Sequence, residues 1–314
     1  MNFVPLGLRV PATSANLGSG FDTIGLALSL YNDVEILDVL EEGRYEIEVI
    51  GEGAPELGDP AGNLLVKSYK FACRKWGQIP FGLRIRAINA IPLGRGLGSS
   101  ATAVVGGIMV ANALRERPFR KEDLLSLVTE LEGHPDNAVP CLLGGMVVSC
   151  WNGSEVRYVR LPPMPENMSA VVAVPDFKVL THEARDALPR EVALGEAVFN
   201  LSRAALFAAS WATGNWANLM FAMEDRLHQQ FRARLFPGGE AILSRMKKIP
   251  ECLGVAISGS GPSMLAFARG NPQRVAIAMC RAFSESGVRS RFFVLDTDND
   301  GARVRGAERC RRGS

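Results

Sequence analysis

The chain has 314 residues, 47% of them apolar, which suffices for one large domain or two ordinary ones around a sizeable core. A net charge of +2 is too near neutral to single out nucleic acid or an anionic membrane as partner. Six cysteines without a C-x-x-C spacing and only three histidines indicate neither a disulfide framework nor a zinc site, and without a signal-peptide pattern a cytoplasmic setting is expected.

In chain order, residues 8–12 predict a first strand, followed by a small, polar loop from Thr13 to Asp22 and an apolar return from Ile24 to Leu30. Residues 33–50 alternate, as in Tyr45-Glu46-Ile47-Glu48-Val49, and predict two strands. Asn63 to Trp76 has helical spacing, with Asn63 placed as a cap. Leu83 to Ala87 alternates as a strand, and Ala101 to Leu114 is apolar enough for a buried helix.

Between those last two lies Pro92-Leu93-Gly94-Arg95-Gly96-Leu97-Gly98-Ser99-Ser100-Ala101-Thr102. A glycine-rich turn entering a helix gathers unpaired amide N–H groups at the positive end of the helix dipole, which suits a phosphate. Glycine allows close backbone approach, and Ser99 and Ser100 add hydroxyls for phosphate or Mg²⁺. The Walker A loop needs Gly-Lys, absent here, and the Rossmann fingerprint needs a different glycine spacing. Pro-x-Gly-x-Gly-Leu-Gly-Ser-Ser-Ala resembles the phosphate loop of the GHMP kinases at every defined position. Pro11 to Asp22, followed by Gly25-Leu26-Ala27-Leu28, resembles the first motif of the homoserine kinases within that family.

Further on, Glu122 to Glu132 predicts an amphipathic helix with Leu124, Leu125, Val128 and Leu131 inward. Gly133-His134-Pro135-Asp136-Asn137 then reads as a turn on its own terms. Strands are expected at 147–151, 156–161 and 170–175, and Thr181 caps a segment carrying Arg185. Residues 195–231 predict two helices split at Gly214-Asn215. Strands at 253–257, 264–267 and 291–295, with a helix at 273–286, predict a ferredoxin-like α+β layer. The polar tail from Asp298 is expected to be disordered.

The resemblance covers Pro11 to about Leu295, its third motif being Ser258 to Ser263. It implies an α+β GHMP kinase fold: an N-terminal domain (1–160) like the second domain of ribosomal protein S5, a ferredoxin-like C-terminal domain (161–297), and a tail (298–314). It implies ATP on residues 92–102 with Asn63 near the adenine, and Mg²⁺ held by Ser100 and Glu130, Glu132 being the other carboxylate available. For L-homoserine it implies Asp22 and Asp136 at the amine, Asn16 and Asn137 orienting polar atoms, and Thr181, Arg185 and Arg232 meeting the substrate, the two arginines at its carboxylate. Arg234 competes with Arg232, because Gln229-Gln230 stands where the family has Glu-Pro. Whether Asp136 is a general base is open, and His134 is read as bracing its turn. Members of the family are often dimers. Another small alcohol, mevalonate- or shikimate-like, and a non-catalytic nucleotide sensor are the rival readings.

Overall fold

The computed structural model describes residues 5–305. β1 (Leu6–Ala15) pairs antiparallel with the long β2 (Ile24–Leu40). Where β2 alternates, Val34 and Ile36 face inward and are buried, as a one-sided sheet requires. β3 (Tyr45–Gly51) runs parallel to β4 (Gly82–Asn89), and the connection carries the single turn α1 (Ala54–Leu57) and the helix α2 (Leu64–Lys75). α3 (Ser99–Ala113) is buried along most of its length against α2. The close approach needs Gly107, where a Cβ would lie 2.3 Å from the carbonyl oxygen of Leu65.

A 3₁₀ turn (Lys121–Leu124) leads into α4 (Leu125–Glu132) and then α5 (Pro135–Leu143). The segment expected as a turn at Pro135-Asp136-Asn137 is thus the first turn of a helix. Proline at the first helical position loses no internal hydrogen bond and has the right φ already. β5 (Met146–Trp151) and β6 (Val156–Arg160) complete this half of a seven-stranded sheet.

A second, antiparallel sheet follows. β7 (Met168–Pro175) leads into α6 (Thr181–Asp186), α7 (Leu194–Thr213) and three short helices, α8 (Leu219–Ala222), α9 (Gln229–Arg232) and α10 (Gly239–Arg245). β8 (Cys252–Ile257), β9 (Met264–Arg269), α11 (Pro272–Glu285) and β10 (Ser290–Leu295) complete it. The strand order β10-β7-β9-β8 is the split βαβ arrangement expected of a ferredoxin-like layer. The expected second long helix after Gly214 is not formed. The carboxylate of Asp225 accepts from the amides of Leu227, His228 and Gln229, a local capping pattern that competes with helix continuation.

The tail differs from expectation. Asp298 is buried and accepts from the amides of Asp300 and Gly301 and from Arg303. β11 (Arg303–Arg305) then pairs with β1, at the edge of the first sheet. Residues 306–314 lie outside the described residues. Among the described residues, no helix is long and apolar enough to cross a membrane.

Candidate active site

One cavity of about 470 Å³ collects the groups singled out above. Its floor is the glycine turn. Gly94, Gly96 and Gly98 all have φ between 65° and 73°, a region that costs glycine little and other residues much. At two of these positions the missing side chain is required by protein neighbours. A Cβ on Gly96 would lie 2.1 Å from the carbonyl oxygen of Ser258, and one on Gly98 would lie 2.0 Å from Oγ1 of Thr13. The turn at Ser258–Ser263 therefore holds the loop from below: Ser258 Oγ donates to the carbonyl of Gly96 at 2.7 Å.

Among the described residues, no amide from Gly94 to Ala101 donates to a backbone carbonyl; the first to do so is Thr102, to Gly98 at 2.9 Å. These free N–H groups form an anion cradle at the start of α3. Leu93, Gly94, Arg95, Gly96, Gly98, Ser99, Ser100 and Thr102 line the cavity. Pro92, Leu97 and Ala101 are buried and anchor the loop instead. Arg95 adds a cation whose Nη1 is buried without a partner. Asn63 also lines the cavity, but as a cap with both amide atoms engaged: it accepts from Leu65 N–H at 3.0 Å and donates to the carbonyl of Leu57 at 2.8 Å.

The carboxylate beside Ser100 is Glu132, not Glu130. Ser100 Oγ donates to Glu132 Oε2 at 3.0 Å, and Glu132 lines the cavity. Glu130 points to the surface, 48% exposed, in an ion pair with Lys75 at 2.7 Å. Residues two apart on a helix face different sides, so only one of the two can reach the cleft. Burial pushes the Glu132 carboxyl up to about 7, an effect opposed by His134 and the Ser100 hydroxyl.

The His134–Asp136 pair reverses another expectation. His134 lines the cavity. Asp136 is only 1% exposed, and its Oδ1 meets His134 Nδ1 at 2.6 Å. The carboxylate thus braces the imidazole, and the imidazole faces the cleft. Burial pulls the His134 pKa down, but the hydrogen bond and charge of Asp136 outweigh it, leaving the pKa raised. Asn137 lines the cavity and accepts from Thr13 Oγ1 at 2.6 Å.

At the far end the loop after β1 meets α6 and α9. Asn16, Leu17 and Asp22 have φ of 70°, 47° and 54°, a left-handed conformation that is uncommon outside glycine and worst for a bulky residue. The loop is held by its surroundings. Leu17 is buried among Ile24, Leu26 and Ile91, and Asn16 donates to the carbonyl of Gly259 at 2.9 Å and accepts from the amide of Asp22 at 3.0 Å. The carboxylate of Asp22 receives both Nη atoms of Arg185, at 3.0 and 3.2 Å. Thr181 opens α6 at the cavity wall.

Arg232 is 2% exposed and lines the cavity, whereas Arg234 faces solvent beside Glu240. The Arg232 guanidinium donates only to the carbonyls of Ala184 and Gly259 and toward His228. Among the described residues it forms no ion pair. Burial, reinforced by Arg185, pulls its pKa down to about 10. A buried cation without its own carboxylate is suited to an anion.

Two family models match the chain: GHMP kinases N terminal domain over residues 63–145, and GHMP kinases C terminal over 206–285. The homoserine kinase of Carboxydothermus hydrogenoformans is 42% identical over 93% of this chain and 94% of that protein. That of Moorella thermoacetica is 41% identical over 95% of this chain and 99% of that protein. The chain belongs to the GHMP kinase family. The crystal structure of homoserine kinase from Cytophaga hutchinsonii superposes with a TM-score of 0.86 at 29% identity, covering 97% of this chain and 99% of that one. The Methanococcus jannaschii mevalonate kinase shares the GHMP kinase fold, with a TM-score of 0.68 at 14% identity over 95% and 100% of the two chains. The Gln229-Gln230 departure leaves the GHMP kinase cleft intact. Gln229 Oε1 accepts from the amide of Ile257 at 2.8 Å, tying α9 to β8 without proline.

Proposed function

We propose that this chain transfers the γ-phosphoryl group of ATP to the hydroxyl of L-homoserine, giving O-phospho-L-homoserine for threonine biosynthesis. The observation that carries this reading is a single cleft with a cradle of unpaired amides at one end and, at the other, one carboxylate and two guanidiniums. A nucleoside triphosphate complements the first end and a zwitterionic amino acid the second. The homoserine kinases similar over nearly the whole chain support the choice of amino acid.

In this reading the triphosphate lies on Gly94–Thr102 with Arg95 beside it, and the adenine near Asn63. Ser100 and Glu132 offer the hard oxygen donors that suit Mg²⁺, which completes its shell with water and phosphate. When bound, the ion supplies charge neutralisation of the transferring phosphoryl group. The substrate amine takes Asp22 and the carboxylate takes Arg185 and Arg232, so the Asp22–Arg185 pair opens to admit it. His134 and Asn137, between the two ends, orient the hydroxyl. Asp136 acts through His134 and is not assigned as the base, and Asn16 shapes the loop. Two domains (1–160 and 161–297), a cytoplasmic location and a homodimer complete the proposal. The exposed row Leu194, Val198 and Leu201 on α7 supports the dimer, to be checked by light scattering on the purified chain.

A coupled assay of ADP release over a panel of small alcohols tests the activity. Turnover of homoserine well above that of mevalonate and shikimate is the expected result. Equal rates across the panel, or ATP binding without turnover, would reject it.

A further inference from the structure

Arg232 belongs to a single-turn helix, and its guanidinium lies beside a buried residue that does not line the cleft. His228 is fully buried, one turn earlier. Its Nε2 lies 2.8 Å from the carbonyl oxygen of Gly18. A carbonyl only accepts, so Nε2 carries a proton; the guanidinium of Arg232 only donates, so the Nδ1 it faces is a bare lone pair. That lone pair faces Nη1 of Arg232 at 3.5 Å. Phe21 stacks on the imidazole at 5.2 Å between centroids and lies under the guanidinium at 5.2 Å. The nearby carboxylate of Asp225, 3.8 Å from Nε2, is engaged by the amides of His228 and Gln229.

We propose that His228 is a positioning residue for amino-acid recognition: the bond to Gly18 fixes its tautomer, and the bare Nδ1 then orients Arg232 toward the substrate carboxylate. The inference rests on the reading of Arg232 as a carboxylate receptor. It extends that reading to a residue that touches no substrate.

Asparagine and glutamine separate the two imidazole bonds. An Asn amide reaches about as far as Nδ1, a Gln amide about as far as Nε2. His228→Asn keeps an acceptor for Arg232; His228→Gln keeps the Gly18 bond and loses that acceptor. Losing one hydrogen bond to a charged group should raise the homoserine KM about tenfold in His228→Gln. In the same variant the ATP KM and kcat should stay within about twofold, as expected when binding rather than chemistry is affected. His228→Asn should return most of the homoserine affinity. An equal rise in both KM values, or Gln outperforming Asn, overturns the proposal.

Arg232→Lys separates this from the reading beneath it. If Arg232→Lys leaves the homoserine KM unchanged, the carboxylate receptor is wrong and the role of His228 falls with it. If Arg232→Lys raises that KM while His228→Gln does not, only the role of His228 is lost. With only three histidines in the chain, ¹⁵N spectra of the wild-type protein give a check that needs no variant. A bare Nδ1 on His228 whose shift responds to homoserine is expected; a protonated Nδ1 overturns the proposal.

Discussion

The two ends of the cleft are built by different means. The phosphate end is backbone: amides from one continuous stretch, Gly94 to Ala101, left without carbonyl partners by the glycine turn and the start of α3. The end proposed for the amino acid is side chain: Asp22 after β1, Arg185 on α6 and Arg232 on α9, brought together from distant parts of the chain. Backbone donors suit what the kinases of such a fold share, the phosphates of the nucleotide. Side-chain charges recognise what distinguishes one substrate from another. Damage to the first end should affect every acceptor alike, and damage to the second only acceptors bearing the matching charge.

The sharpest test of that contrast is Glu132→Gln, which should lower kcat by roughly 100-fold or more for any acceptor, since a metal ion contributes several kcal/mol to the transition state. Glu130→Gln, on the surface, should stay within about twofold. A larger loss at Glu130 would restore it as the metal ligand. At the other end, Asp22→Asn should cost roughly 10- to 150-fold in kcat/KM with homoserine, the value of one charge-assisted hydrogen bond. It should cost much less with an alcohol that lacks the amine. Arg185→Ala should penalise carboxylate-bearing acceptors whether or not they carry an amine. Equal losses on all acceptors would erase the distinction between the ends.

Which parts of this were legible from residues alone follows the same division. The glycine turn could be read because one short stretch builds it. Strands of the first sheet could be read from alternation at 33–50 and 83–87 and those of the second from short apolar runs, which gave the ferredoxin-like order, whereas β11 could not. The resemblance favours Glu130 over Glu132, although the helical pattern points the other way. Glu132 lies four residues after the inward-facing Val128 and so shares its face, whereas Glu130, two residues after Val128, points away. The pairing of Asp22 with Arg185, the bracing of His134 by Asp136, and the fixing of Arg232 by His228 left no such signal. Each depends on a contact between segments that only the folded chain brings together. The break at Gly214 was legible, but the segment after it reads as a second helix because hydrophobic spacing continues through Leu219 and Met223, while the carboxylate of Asp225 captures the amides that a helix would need.

Two smaller effects refine the phosphate end. Glu132 is pushed from 4.5 up to about 7 by burial, and the proposed Mg²⁺ would bind the ionised form. The Mg²⁺ concentration giving half-maximal rate should therefore fall about tenfold from pH 6 to pH 8. In Glu132→Gln that dependence should vanish. The same shift makes the metal-free fold favour the protonated acid. Its contribution to stability is complete below the ordinary carboxyl range and is lost as pH rises through about 7. Glu132→Gln should accordingly raise Tm more at pH 8 than at pH 5. Smallest of all is the Lys178–Glu56 pair, 2.5 Å apart over the cleft mouth with both partners about half exposed. A surface pair contributes about 0–1 kcal/mol, so Lys178→Ala should change the ATP KM by no more than about fivefold. The difference should shrink as salt is added.

β11 imposes an order on assembly. Arg303 to Arg305 form the outer strand beside β1, whose far end carries the Asn16–Asp22 loop. During synthesis the first sheet emerges early, yet it lacks this outer strand until every strand of the second sheet has also been made. An unpaired sheet edge invites pairing with other chains. The nascent protein therefore carries an aggregation hazard on the strand that leads to the Asn16–Asp22 loop, and that edge is covered only when β11 docks.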